Sequence, residues 1–80
     1  MNQISKFLDL KNIPCPLNVV KCKLALEKLT SKDILIVDID KGEPEVMVIK
    51  AIEQIGYNIQ IIDQYETWLK LKITKEFFES

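Results

Sequence analysis

The chain has 80 residues, 48% hydrophobic and 29% charged, with eleven basic against twelve acidic side chains for a net charge of −1. That is the make-up of one globular domain spanning residues 1–80; no apolar run approaches the roughly 18 residues of a membrane-spanning helix, and Met1-Asn2-Gln3 has no apolar leader character, so a cytoplasmic protein without membrane contact is expected. Every basic residue is lysine and histidine is absent, which removes the guanidinium forks of direct nucleic-acid recognition and all histidine-dependent nucleophile activation.

From Ile4 to Leu10 a short strand is expected, with Leu8 and Leu10 on one face and Phe7 and Asp9 on the other. Ile13-Pro14-Cys15-Pro16-Leu17-Asn18 follows. Each proline fixes its own φ and drives the residue before it out of the helical region, so Ile13 and Cys15 should be extended and Pro16 should begin a helix. Val19, Cys22, Ala25, Leu26 and Leu29 make the core-facing stripe of that helix, which places Cys22 inside. Leu17, Val20 and Leu24 form a second apolar strip that needs a neighbour, either the second helix or a partner protein.

Thr30-Ser31-Lys32-Asp33 ends the helix, and Ile34 to Asp40, apolar on both faces, reads as a central strand. Lys41-Gly42-Glu43-Pro44 is turn chemistry opening a second helix to about Ile55, with Met47, Val48, Ala51, Ile52 and Ile55 inward and Gly56 as its left-handed stop. Asp38, Asp40, Glu43 and Glu45 are interrupted by Lys41 and lack calcium-loop spacing, so they read as a solvated acidic strand end. A strand from Tyr57 to Asp63 turns Ile59 and Ile61 to one face. In Trp68-Leu69-Lys70-Leu71-Lys72-Ile73 the alternation is strict, with Leu69, Leu71 and Ile73 inward and one sheet face in water. The order βαβαββ gives an α+β, two-layer α/β sandwich, a four-stranded mixed sheet with two helices packed on one face. Phe77 and Phe78 lie past the last strand, docking back or forming a local tail.

Chemistry concentrates at Cys15. As the residue before Pro16 it is placed as a helix N-cap, where unpaired N–H groups and the macrodipole favour thiolate, and Lys11 and Lys21 add positive charge nearby. Cys22 is seven residues on, roughly 10 Å along a helix and beyond the roughly 7 Å limit for a disulfide. Two thiols without further soft ligands make no metal or iron–sulfur site, and no cofactor is expected.

Leu8-Asp9-Leu10-Lys11-Asn12-Ile13-Pro14-Cys15-Pro16-Leu17 resembles the opening of the TusA/SirA family of small sulfur-carrier proteins, whose hallmark is Cys-Pro-x-Pro between the first strand and first helix. Asp33 to Val37, Ala51 to Gly56 and Lys70 to Ile73 are similar to later stretches of that family. The resemblance implies a sulfurtransferase-like carrier with a single reactive cysteine, Cys15, flanked by the motif and helix N-terminus residues Pro14, Pro16 and Asn18. Sulfur would arrive as a persulfide from a cysteine desulfurase or rhodanese-like donor and pass to an acceptor protein in tRNA thiolation, cofactor synthesis or sulfur metabolism, the carrier acting as a monomer. Asn18 stands where the family's second motif proline would be, and Asn12 and Pro14 replace a more usual glycine and a basic or polar residue. Were Cys15 buried, the same fold would instead serve as a non-catalytic interaction or regulatory module that has lost sulfur relay.

Overall fold

The computed structural model describes residues 5–30 and 32–75. Its elements follow as β1 (Ser5–Asp9), α1 (Leu17–Glu27), β2 (Ile34–Asp40), α2 (Glu43–Gln54), β3 (Asn58–Gln64) and β4 (Trp68–Thr74), the expected βαβαββ order. Ile4, Ser31 and the Phe77-Phe78 tail lie outside the described residues.

The four strands form one mixed sheet in the order β1-β2-β4-β3. Parallel pairing of β1 with β2 requires a crossover, which α1 supplies, and β4 runs antiparallel to both its neighbours. Strict alternation in β4 works as its sequence dictates. Leu69, Leu71 and Ile73 are buried opposite Ile39, Val37 and Leu35 of β2, while Lys70 and Lys72 lie on the open face. On the covered face, Cys22, Leu26 and Leu29 from the first helical segment and Val48 and Ile52 from α2 complete the core.

The first helix docks by the predicted stripe but begins one residue later than predicted. Pro16, at φ −95° and ψ 8°, is its N-cap and Leu17 its first residue. At the start of α2, the Gly42 N–H donates to Glu45 Oε1 at 2.8 Å, a side chain closing a donor the helix leaves open. Its other end closes on Gly56 at φ 98°, with Gly56 N–H donating to the Glu53 carbonyl and Tyr57 N–H to the Ile52 carbonyl, a left-handed cap that only glycine adopts without strain.

Two expectations about burial fail, those for Met47 and Ile55, because the helix seam is narrow. Only Val48 and Ile52 of α2 are fully covered, and Met47 and Ile55 are 42% and 49% exposed. Ile61 is likewise exposed, because β3 is an edge strand and its register slips between Ile61 and Asp63. A domain of this size has too little interior to cover every apolar side chain it carries.

Candidate functional site

Cys15 and Cys22 are both free thiols, but they occupy opposite environments. Cys22 is fully buried, and removal from water pushes its thiol up to about 12, since burial penalises the thiolate. Cys15 is exposed, on the turn between β1 and α1, joined to Pro16 by a cis peptide bond.

Its position corrects the N-cap expectation. The sulfur is one residue outside the cap, and the cap makes no side-chain hydrogen bond. Three donors of the first turn are taken by other groups: Asn18 N–H donates to the Pro14 carbonyl at 3.1 Å, Val19 N–H to Asn18 Oδ1 at 2.7 Å, and Val20 N–H to the Pro16 carbonyl at 3.1 Å. Pro14 and Asn18 are thus brought together across the Cys15-Pro16 turn, and Pro16 closes the first helical bond. Asn18 is itself fully buried, and its Nδ2 has no hydrogen-bond partner among the described residues. An orphaned buried amide of this kind costs roughly 1–3 kcal/mol.

Upstream, the backbone is tied residue by residue. Leu10 N–H donates to the Asp38 carbonyl at 2.8 Å, Lys11 N–H to Asp9 Oδ1 at 3.0 Å, Asn12 N–H to Asp40 Oδ2 at 2.8 Å, and Ile13 N–H to the Leu10 carbonyl at 3.2 Å. Asn12 adopts φ 66°, the left-handed region that asparagine tolerates better than other non-glycine residues. Its presence in place of a glycine was the signal in the sequence that this turn is left-handed.

The acidic end of β2 is not simply solvated. Asp38 is buried, with Lys70 Nζ 2.8 Å from its Oδ1 and Lys11 Nζ 3.7 Å from its Oδ2. Lys11 also lies 3.8 Å from Asp9 and 4.0 Å from the centroid of the Trp68 ring, while Lys70 lies 4.9 Å from the centroid of the Phe7 ring. Tyr65 stacks on Trp68 with centroids 4.2 Å apart. Of the two lysines credited with acting on Cys15, Lys11 therefore directs its charge onto carboxylates and an indole face on the open side of the sheet. The loop before the thiol is tied to the end of β2 by main-chain and side-chain bonds, a long-range arrangement that no local pattern announces.

Leu17, Val20 and Leu24 are 46%, 46% and 53% exposed, so the strip does not pack into α2. It begins two residues beyond Cys15 and runs along the outer face of α1.

The fold and site together define a small two-layer α/β sandwich that presents a free, exposed thiol on the turn into its first helix. The profile described as Sulfurtransferase TusA matches residues 6–75, and the chain belongs to that family, which has a sulfur-carrier or sulfurtransferase role and works with sulfur donor and acceptor proteins. A crystal structure of a SirA-like protein from Desulfitobacterium hafniense is similar in fold, with TM-score 0.73, 22% identity, and coverage of 85% of this chain and 93% of that one. Among curated proteins nothing matches.

Proposed function

We propose that this chain carries sulfane sulfur on Cys15 and relays it between two partner proteins in the reducing interior of the cell. The observation that carries this reading is the contrast between the thiols: Cys15 is open to a partner, whereas Cys22 is sealed and held protonated. Exposure of Cys15 also removes the support that burial would have lent to a non-catalytic module.

The chemistry balances without an oxidant. Cys15 loses its proton to solvent, and the thiolate attacks the terminal sulfur of a donor persulfide. The donor S–S bond breaks, its electron pair leaves on the donor thiolate, and a persulfide forms on Cys15. A nucleophile of the acceptor then attacks the terminal sulfur, and Cys15 departs as thiolate. Pro14, Pro16 and Asn18 shape the turn that presents the sulfur, and the apolar strip of Leu17, Val20 and Leu24 offers a docking surface within one helical turn of it.

Intact mass after incubation with a cysteine desulfurase and cysteine tests the proposal. One added sulfur is expected on the parent chain and on Cys22→Ser, and none on Cys15→Ser. Equal loading of Cys15→Ser would refute it.

A further inference from the structure

We infer that Asp40 is a positioning residue for sulfur transfer, acting on Cys15 through the main chain of Asn12; the inference rests on the carrier reading. Asn12 is held at φ 66°, a conformation that L residues other than glycine adopt only at a cost, three residues before the thiol. What holds it there is an ionisable side chain from another element: Asn12 N–H points at Asp40 Oδ2 at 2.8 Å, across 28 residues of sequence. Hydrogen bonds to a charged acceptor are about twice as strong as neutral ones. The neighbouring amides are closed by Asp38, Asp9 and Leu10, so the turn has one defined backbone path, and that path sets where Pro14 begins and hence where Cys15 emerges.

The rest of the Asp40 environment is compatible with this role. Asp40 is the last residue of β2, paired with Trp68 of β4, so its backbone is fixed by the sheet while its carboxylate is free to reach over to the loop. In contrast to Asp38, none of the ion pairs among the described residues involves Asp40. Group transfer between sulfurs needs the attacking atom aligned with the bond it breaks, and a displacement of about 1 Å costs up to about 10²-fold. Losing the Asn12 bond lets the turn leave its left-handed path, which moves the sulfur without uncovering or burying it.

The experiment measures donor-dependent loading of Cys15 as a function of donor concentration, using a cysteine desulfurase with cysteine, together with alkylation by iodoacetamide. Asp40→Ala should lower the maximal loading rate about tenfold or more, leave the half-saturating donor concentration unchanged, and leave alkylation within about twofold, because a small reagent needs no alignment. Asp40→Asn, which keeps an acceptor oxygen at the same reach, should restore the rate to within about threefold of the parent. If Asp40→Ala does not fold, Asp40→Ser, whose hydroxyl is one bond too short to reach Asn12, replaces it with the same expectation. A parental maximal rate in the Ala or Ser variant overturns the positioning role and leaves the carrier reading standing. A raised half-saturating concentration at unchanged maximal rate makes Asp40 a docking residue and also overturns it. Absence of loading in the parent chain itself overturns the carrier reading, and the transfer role of Asp40 with it.

Discussion

Replacing Cys22 by alanine should produce a stability difference that changes sign with pH. In the folded protein this thiol is pushed up to about 12 by burial, and in the unfolded chain it returns to its ordinary 9.0. Below pH 9 both states hold the proton and the group is silent. Between 9.0 and about 12 the unfolded state releases a proton that the folded state keeps, so stability falls as pH rises, by roughly 1.4 kcal/mol per unit. At pH 10.5, about 1.5 units above the unfolded value of 9.0, the parent protein should have lost roughly 2 kcal/mol through this residue alone. Cys22→Ala lacks the proton but leaves a hole the size of a sulfur in a fully buried site, a cost of roughly 1 kcal/mol at any pH. The variant should therefore be less stable by about 1 kcal/mol at pH 7 and more stable by about the same amount at pH 10.5. Urea unfolding of both proteins at the two pH values, with a reductant present, measures the double difference; every other ionisable group is common to the two proteins and cancels. A gap of the same sign and size at pH 7 and 10.5 would refute the argument that burial holds Cys22 protonated.

Iodoacetamide at pH 8 should label Cys15 at least about 10³ times faster than Cys22, since a thiol four units below a value of about 12 is ionised about once in 10⁴ and this one is also covered; peptide mapping over time reads the ratio, and comparable rates would show Cys22 to be open. Val20→Glu, at a side chain 46% exposed, should change folding stability by less than about 0.5 kcal/mol and leave alkylation of Cys15 untouched while slowing sulfur loading from a cognate donor; parental loading would mean that partners approach from elsewhere. For Asn18→Pro, the ring replaces an N–H that donates to the Pro14 carbonyl and must sit against that same oxygen, a cost of about 3 kcal/mol to which the lost acceptor for Val19 adds, and removal of the orphaned amide offsets only about 1–3, so the variant should be less stable by roughly 1–3 kcal/mol. A parental or higher melting temperature in thermal unfolding would mean that the turn relaxes to seat the ring.

How much was legible depended on whether the cause was local. The alternation from Trp68 to Ile73 has one strand reading, and Leu69, Leu71 and Ile73 are buried as that reading requires. Periodicity likewise placed Cys22 and Leu26 inside, and the apolar run from Ile34 to Asp40 became the interior strand β2. Asn18 lies four residues before Cys22 and on the same side of the helix, so its burial was present in the spacing but hidden by its polarity. Exposure of Met47, Ile55 and Ile61 could not be read, because hydrophobicity does not say how much cover a small domain has left to give. The links from Lys11 and Asn12 to Asp38 and Asp40 join segments 27 and 28 residues apart and follow from the β1-β2 pairing, which exists only once the sheet has formed. The turn and exposed position of Cys15 were legible because prolines act on their immediate neighbours, but its placement as the helix cap was off by one residue.

Burial of Asp38 makes ionic strength a means of separating two parts of the molecule. Near 1 M salt the Debye length shrinks to about 3 Å, and whatever attraction the exposed lysines Lys21 and Lys28 exert on another molecule is largely abolished. The Lys70–Asp38 contact, 2.8 Å long on a carboxylate only 5% exposed, is shielded from that screening by the protein around it, so the sheet side of the thiol loop keeps its shape. Any salt-dependent loss of transfer would then report weakened encounter with the partner, with the geometry of the carrying end unchanged.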